Sequence, residues 1–460
     1  MDARELFPGE VFSLRPFSAL ETERFREAHR WNILLNRGLS RSFLYRSKTV
    51  FPTFWVAALK IMRDIQKRYT KTRLLLRTGH QLSRTQKIFR WLRLMIGHLV
   101  GSAILAGGGV ARPFDRWRAL NRISRRSGRD HVREFIDSTP RVSGVEPVIR
   151  SFKPDLVVAP TLGHEIVPLD AIRAAARCGT ASMMLIDNWD NLSSKSLFSA
   201  LPDFMGTWGP QSNSHAVDIQ GMAGDRVEGI GAPRFEPHFR LAMKTDERRK
   251  SVGKFILYCG TSMYSNEDRI LEILDQTLMT LNSSLSVVYR PHPQRFQAPG
   301  SGLKNMYGSV KIDPTVDEKF WGELLPYLPA RDFDFATLLS ESLFVVGGLT
   351  SALLEAEILG KKYLAMAHHE AMNYSSPRAV FNTYDHYRGI EFLPHLTLCR
   401  SLKRLPQLVG NHIRSPDYSP SSASNRLQRS HFLTGSGERS YEERLSAFID
   451  KALDVNIELQ

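Results

Sequence analysis

Residues Leu343 to Met366, LFVVGGLTSALLEAEILGKKYLAM, constrain the fold more than any other stretch. Leu343–Val346 is a short apolar run rich in β-branched residues, which predicts a strand. Gly347-Gly348 break it, and Thr350-Ser351 stand where a helix N-cap belongs. Ala352–Leu359 read as helix, Gly360 ends it, and Tyr363–Met366 is apolar again. A strand–loop–helix–strand unit of this kind belongs to a parallel sheet. Its loop combines two glycines, two hydroxyls and a helix N-terminus. That set suits an anion, because free N–H groups and the helix dipole both point at it. Glu355 lies about one turn beyond Ser351 and can face the same loop, where a carboxylate accepts hydrogen bonds from ribose hydroxyls.

The same alternation recurs on either side. Pro154–Pro160 (PDLVVAP) predicts a buried strand, Pro168–Arg177 a helix and Thr180–Ile186 (TASMMLI) a second strand. Phe204–Trp208 and Arg226–Gly231 predict two more, the latter followed by Ala232-Pro233-Arg234. Met243–Lys254, with seven charged residues in twelve, reads as an interdomain linker. A new series follows: strand Lys254–Cys259, helix Glu267–Leu281, strand Ser286–Arg290, short helix Phe333–Ser340 and then the opening unit. The tail after Leu393 reads as helical, interrupted by a loop at Ser415–Ser424 and closed by a helix at Tyr441–Ala452. Strands alternating with helices predict doubly wound sheets. The expected organisation is a first domain over 1–242, a linker at 243–254, a second domain over 255–410, and a loop and helix over 411–460 that can pack back on the first domain.

Charge separates the halves. Residues 1–150 hold 30 Lys+Arg against 12 Asp+Glu, a balance of +18; the rest holds 32 against 35, or −3. Residues 63–133 alone carry 18 basic and three acidic side chains at helical spacing, interleaved with apolar and aromatic ones. A basic helical region of this composition suits an anionic membrane surface. Leu94–Ala111 is apolar over 18 residues but contains His98 and five glycines, so it is read as interfacial rather than spanning. No recognisable nucleic-acid module accompanies the charge, and nucleic acid is not expected as a partner. Cys178, Cys259 and Cys399 lack metal-ligand spacing and imply no disulfide framework. The first residues lack the layout of a signal peptide, which points to the cytoplasm.

Several loops carry chemistry-bearing residues. Trp31–Arg37 predicts a strand that ends in a Gly/Arg-rich loop, where Arg37 and Arg41 suit an acceptor or phosphate. His164 and Glu165 follow one strand, and Asp187 and Asp190 follow the next. All four are candidates for a general base, and all four equally fit a solvated or capped loop. Gly260-Thr261-Ser262 form the first loop of the second domain. In Arg290-Pro291-His292-Pro293 two prolines hold the imidazole in one direction beside a guanidinium, an arrangement suited to a diphosphate. His368-His369-Glu370 resemble metal ligands, but adjacent histidines diverge and no third site is evident, so no bound metal is expected.

The YRPHP stretch at Tyr289–Pro293 and the TSALLEAEILGK stretch at Thr350–Lys361, with their spacing, resemble bacterial glycosyltransferases of the GT-B architecture. Within it, the chain looks closest to CDP-glycerol glycerophosphotransferases and bacterial sialyl- and polysialyltransferases, with UDP-N-acetylglucosamine 2-epimerases sharing the C-terminal half. The resemblance implies an α/β fold of two Rossmann-like domains facing each other across a cleft, here with a basic helical insertion in the first. It implies a donor site in the second domain: His292, Thr350 and Ser351 on the donor phosphate, Glu355 on ribose, with Gly260, Thr261, Ser262 and Arg290 nearby. The base is expected from the first domain. The acidic pair followed by glycine that sialyltransferases use is not found there. Leu353 and Leu354 stand where the epimerases are polar, which counts against epimerisation. The implied activity is transfer of a sugar or polyol phosphate from a CMP-, CDP- or UDP-linked donor. The implied acceptor is a saccharide or lipid-linked saccharide, on the inner face of the plasma membrane, with no bound cofactor. The alternatives are a non-catalytic, membrane-associated scaffold of the same fold and an epimerase-like enzyme.

Overall fold

The computed structural model describes residues 145–161, 166–195, 198, 200–243, 255–261, 265–292, 308–313, 329–369, 377–414, 429–435 and 439–459. The basic region 63–133, the Arg37 and Arg41 loop, the run Leu94–Ala111, His164, Glu165, Ser262, Glu370 and the loop Ser415–Ser424 lie outside the described residues.

The first sheet contains β1 (Leu156–Thr161), β2 (Ala181–Ile186), β3 (Phe204–Thr207) and β4 (Val227–Gly229), in that spatial order and all parallel. Helices α1 (Val145–Phe152) and α2 (Ile166–Cys178) pack on each other beside β1. A short α3 (Pro210–His215) follows β3, and α4 (Glu236–Met243) follows β4. Met243, placed in the linker by its sequence neighbourhood, is the last residue of α4.

The second series is β5 (Phe255–Cys259), α5 (Glu267–Thr280), β6 (Ser286–Arg290), β7 (Val310–Ile312), α6 (Pro329–Glu341), β8 (Phe344–Gly347), α7 (Ala352–Ile358) and β9 (Tyr363–Met366). It continues through α8 (Pro377–Thr383), β10 (Leu396–Cys399) and α9 (Leu405–Arg414). Its six parallel strands lie in the order β10-β9-β8-β5-β6-β7. Counted from β5 as the first, this is the doubly wound dinucleotide-fold order, and it reverses between β5 and β8. Both central strands are apolar almost throughout because helices cover both faces. On one face, α5 and α9 bury Ile270, Leu274, Leu405 and Val409 against Ile256, Val287 and Val346. On the other, Leu257, Val345, Leu353 and Ala356 join Trp189, Trp208, Phe235 and Phe239 of the first half in one core. The two Rossmann-like units therefore meet across a seam that a shared apolar core closes on one side. An interface of that kind restrains their relative motion.

Local chemistry sets the boundaries. Asn266 caps α5 by accepting from the N–H of Arg269 (3.2 Å). Gly360, at φ 64°, ends α7 in the left-handed region, and the N–H of Lys361 turns back to the carbonyl of Ala356 (2.9 Å). Ser351 stands at the N-cap with helical φ and ψ and makes no side-chain cap; Thr350 Oγ1 instead accepts from the N–H of Ala352 (3.3 Å). The segment after Leu393 is not helical throughout, since Leu396–Cys399 pair in parallel with β9 before α9 begins.

The chain then returns to its first half. The N–H of Gln211 donates to the carbonyl of His431 (2.9 Å), and that of Thr434 to the carbonyl of Trp208 (2.7 Å). The last helix, α10 (Tyr441–Leu459), buries Phe448 and Ala452 against Met183, Phe204 and Ile230. Among the described residues, no helix is long and apolar enough to cross a membrane.

Candidate functional site at the interdomain seam

The strand order reverses between β5 and β8, and open α/β sheets bind ligands outside the carboxyl ends of the strands at such a point. Two loops flank it: Gly260-Thr261 after β5 and Gly348 to Ser351 after β8. They touch, and glycine is what lets them. A Cβ on Gly348 would stand 2.7 Å from Thr261 Cβ, and one on Gly347 would strike the hydroxyl of Tyr363. A Cβ on Gly260 would stand 2.8 Å from the backbone nitrogen of His292, so the end of β6 closes on the same point.

Buried hydroxyls fix the β8 loop from behind. Tyr363 donates to the carbonyl of Gly348 (2.8 Å) and Tyr387 to that of Leu349 (2.6 Å). Burial raises both phenols well above their ordinary pKa, so both stay protonated donors. With these carbonyls held, the N–H groups of Leu349, Thr350 and Ser351 find no acceptor among the described residues. Three successive backbone donors with pinned carbonyls make a concavity for an anion. The β5 loop is fixed through an N–H instead, by a carboxylate. Glu267, 3% exposed, accepts from the N–H of Thr261 (2.8 Å) through one oxygen and from the hydroxyl of Tyr289 (2.6 Å) through the other.

Thus Gly260, Thr261, His292, Thr350, Ser351 and Glu355 gather at one sheet edge. Arg290 shares it, but its Nη1 donates to the fully buried Asp313 (2.6 Å) and its guanidinium lies 4.8 Å over Phe335. Glu355 is 2% exposed and faces the first half of the chain, where Arg234 binds it: Nε and Nη2 both donate to Oε1 (3.1 and 2.6 Å).

The first-half loop after β2 has another character. Asp187 is exposed and accepts from Asn188 Nδ2 (3.0 Å); Asp190 is half-buried. Trp189 between them is buried against the second half, edge-on to His386, Tyr387 and Phe432 at 5.1, 5.4 and 5.8 Å. Its Nε1 donates to Gln211 (2.9 Å), whose Nε2 donates to the carbonyls of His386 and Arg388 (3.3 and 3.1 Å). His368 is buried and His369 exposed, and among the described residues no group of three His, Cys, Asp or Glu stands ready for a metal ion.

Reading the sequence alone misses Arg234, Trp189, Glu267, Tyr363 and Tyr387. Arg234 meets its partner 121 residues along the chain and Tyr387 meets its own 38 residues away, and such contacts leave no local pattern. The one local signal is Trp189 itself, a large aromatic in an otherwise Asp/Asn-rich loop.

No family model and no curated protein matches the chain. Among solved structures it is similar to a putative UDP-N-acetylglucosamine 2-epimerase from Listeria monocytogenes, at 13% identity over 72% of this chain and 79% of that one, with TM-score 0.43. The S. aureus MnaA–UDP structure matches at 16% identity over 67% and 77%, TM-score 0.41. Acinetobacter baumannii MurG matches at 13% over 66% and 76%, TM-score 0.38. At these scores the likeness carries no functional weight, and the fold rests on the strand order and register.

Proposed function

We propose that the protein is a GT-B-type transferase that moves a glycosyl group, or a polyol phosphate, from a nucleotide-activated donor in bacterial surface polysaccharide synthesis. The observation that carries this reading is the pinned β8 loop, with three backbone N–H groups open at the point where the strand order reverses. The donor diphosphate sits on the N–H groups of Leu349, Thr350 and Ser351, with the two hydroxyls and His292 at its flank. Glu355 takes ribose hydroxyls. As the bond to the leaving nucleotide breaks, negative charge grows on the phosphate oxygens. Fixed N–H dipoles stabilise that charge without having to reorganise. A first-domain group (His164, Glu165, Asp187 or Asp190) takes the proton from the acceptor hydroxyl, which attacks the anomeric carbon or the phosphorus. The basic region 63–133 brings the chain to the anionic inner face of the membrane, where a saccharide or lipid-linked saccharide acceptor lies.

The test is a thermal-shift titration with CMP, CDP, UDP and GDP, repeated on His292→Ala. A ligand that binds only the folded state raises the midpoint with its concentration. One nucleotide should stabilise the wild type, and His292→Ala should lose most of the shift. If none of the four stabilises the protein, even with anionic vesicles present, the donor site does not exist.

A further inference from the structure

The interdomain ion pair has an unusual shape. An arginine beside a carboxylate commonly engages both oxygens in a two-bond fork. Here Nε and Nη2 of Arg234 converge on Oε1 of Glu355 alone, and no donor among the described residues reaches Oε2. The residue is 2% exposed, and the bonds to Oε1 hold its second oxygen, an acceptor, in one place beside Arg234. The arginine is itself held. It follows β4 in the connection to α4, and α10 clamps that connection: Arg444 donates through Nε to the carbonyl of Ile230 (2.8 Å) and through Nη2 to Glu236 (2.9 Å). Behind the pair, His238 is buried with neither ring nitrogen in hydrogen-bond geometry, and its ring lies edge-on to Phe335 at 6.2 Å. Burial lowers its pKa, so it adds no second cation to compete for the carboxylate.

We infer that Arg234 is a positioning residue for ligand recognition: it locks Glu355 through one oxygen so that the other selects a ribonucleoside over its 2′-deoxy counterpart. This deepens the donor-site reading above and rests on it. The consequence is that sugar selectivity in the second domain depends on a side chain from the first. A nucleotide on Oε2 is thereby read by a site that both halves of the chain complete. Losing Arg234 leaves Glu355 buried and free to rotate, so the ribose hydroxyl loses a fixed acceptor. One hydrogen bond to a charged group corresponds to roughly a tenfold change in affinity.

The experiment measures Kd by calorimetry for whichever of CMP, CDP, UDP and GDP binds, and for its 2′-deoxy form, on the full chain. Wild type should prefer the ribonucleotide about tenfold. Arg234→Met, which keeps the aliphatic stem, should bring the ratio to within about twofold of one while changing affinity for the deoxy form less than about threefold. Arg234→Lys keeps the charge but not the fork and should fall between. A merely structural role would weaken both ligands alike and leave the ratio intact. A wild-type ratio in Arg234→Met overturns the inference while leaving the donor site standing. If Arg234→Met does not fold, a wild-type ratio in Arg234→Lys overturns it equally, because an ammonium cannot place two donors on one oxygen in the same way. Failure of wild type to bind any of the four nucleotides overturns the donor site and this inference together.

Discussion

The loops after β2 and β8 both end a central parallel strand, and both face the seam between the two halves, yet they are built for different work. The β8 loop is small. Its residues are Gly, Leu, Thr and Ser, the carbonyls of Gly348 and Leu349 are held by Tyr363 and Tyr387, and the N–H groups of Leu349, Thr350 and Ser351 find no acceptor among the described residues. The β2 loop sends its largest side chain, Trp189, across the seam and fastens it through Gln211 to the carbonyls of His386 and Arg388. One loop is held from behind and is the proposed receiver; the other is the holder. Tyr387 belongs to both, since it packs edge-on to Trp189 and donates to Leu349. The rigidity of the receiving loop is therefore partly supplied by the anchoring one.

The largest effect is expected from Trp189→Ala. Removing a buried indole from a core shared by both halves should cost about 3–5 kcal/mol, with Gln211 losing its donor in addition. Denaturant unfolding should show the midpoint falling. If the anchor also supports the receiving loop, nucleotide affinity should fall in the same variant while secondary structure by circular dichroism stays unchanged. A Trp189→Ala protein as stable as wild type would mean that the shared core does not depend on the β2 loop.

What the sequence reveals and what it hides follow the same division. Ser286–Arg290 and Tyr363–Met366 are found at their true limits: the second is an unbroken, fully buried apolar run, and the first has β-branched residues and Tyr289 ahead of a proline. Val310–Ile312 and Leu396–Cys399 escape notice: they are short sheet-edge strands, mostly half-exposed, and Lys311 interrupts the first. The loops around Gly260, Thr350 and Ser351 are legible because glycine and hydroxyl residues mark sharp turns near a helix start. The tyrosines, the glutamate and the arginine that brace them are not. Tyr387 lies 38 residues beyond the carbonyl it holds, and Arg234 reaches its partner only because two separately legible units dock against each other. Between Asp187 and Asp190, the polar neighbours draw attention away from Trp189, the side chain that makes the contact with the second half.

A smaller effect is expected at the β8 loop. Tyr387→Phe keeps the ring against Trp189 and removes only the hydroxyl that holds the Leu349 carbonyl. The lost hydrogen bond should cost about 1–2 kcal/mol, since a buried carbonyl is left without its donor. Nucleotide affinity should fall by more than this loss of stability alone accounts for, because the neighbouring N–H groups are no longer fixed. Calorimetric Kd and unfolding midpoints measured on the same preparation separate the two. Equal affinity in wild type and Tyr387→Phe would show that the loop holds its shape without the phenol.

The smallest effect belongs to Asp187→Asn. The carboxylate is exposed, it accepts from Asn188 Nδ2 (3.0 Å) in a bond that an amide oxygen can also accept, and the backbone N–H of Asp187, bonded to the carbonyl of Thr161 at 3.2 Å, is untouched by the change. Stability should move by less than about 0.5 kcal/mol, and nucleotide affinity should stay within about twofold, because the donor contacts belong to the other loop. The outcome matters because Asp187 is also a candidate base. A base that acts only on the acceptor leaves donor binding alone and abolishes turnover, whereas a group that holds the loop lowers binding and stability together. A loss of nucleotide affinity in Asp187→Asn would therefore dissolve the division between the two loops. An unchanged affinity with turnover lost would instead place the proton acceptor beside the anchor, in the first half of the chain.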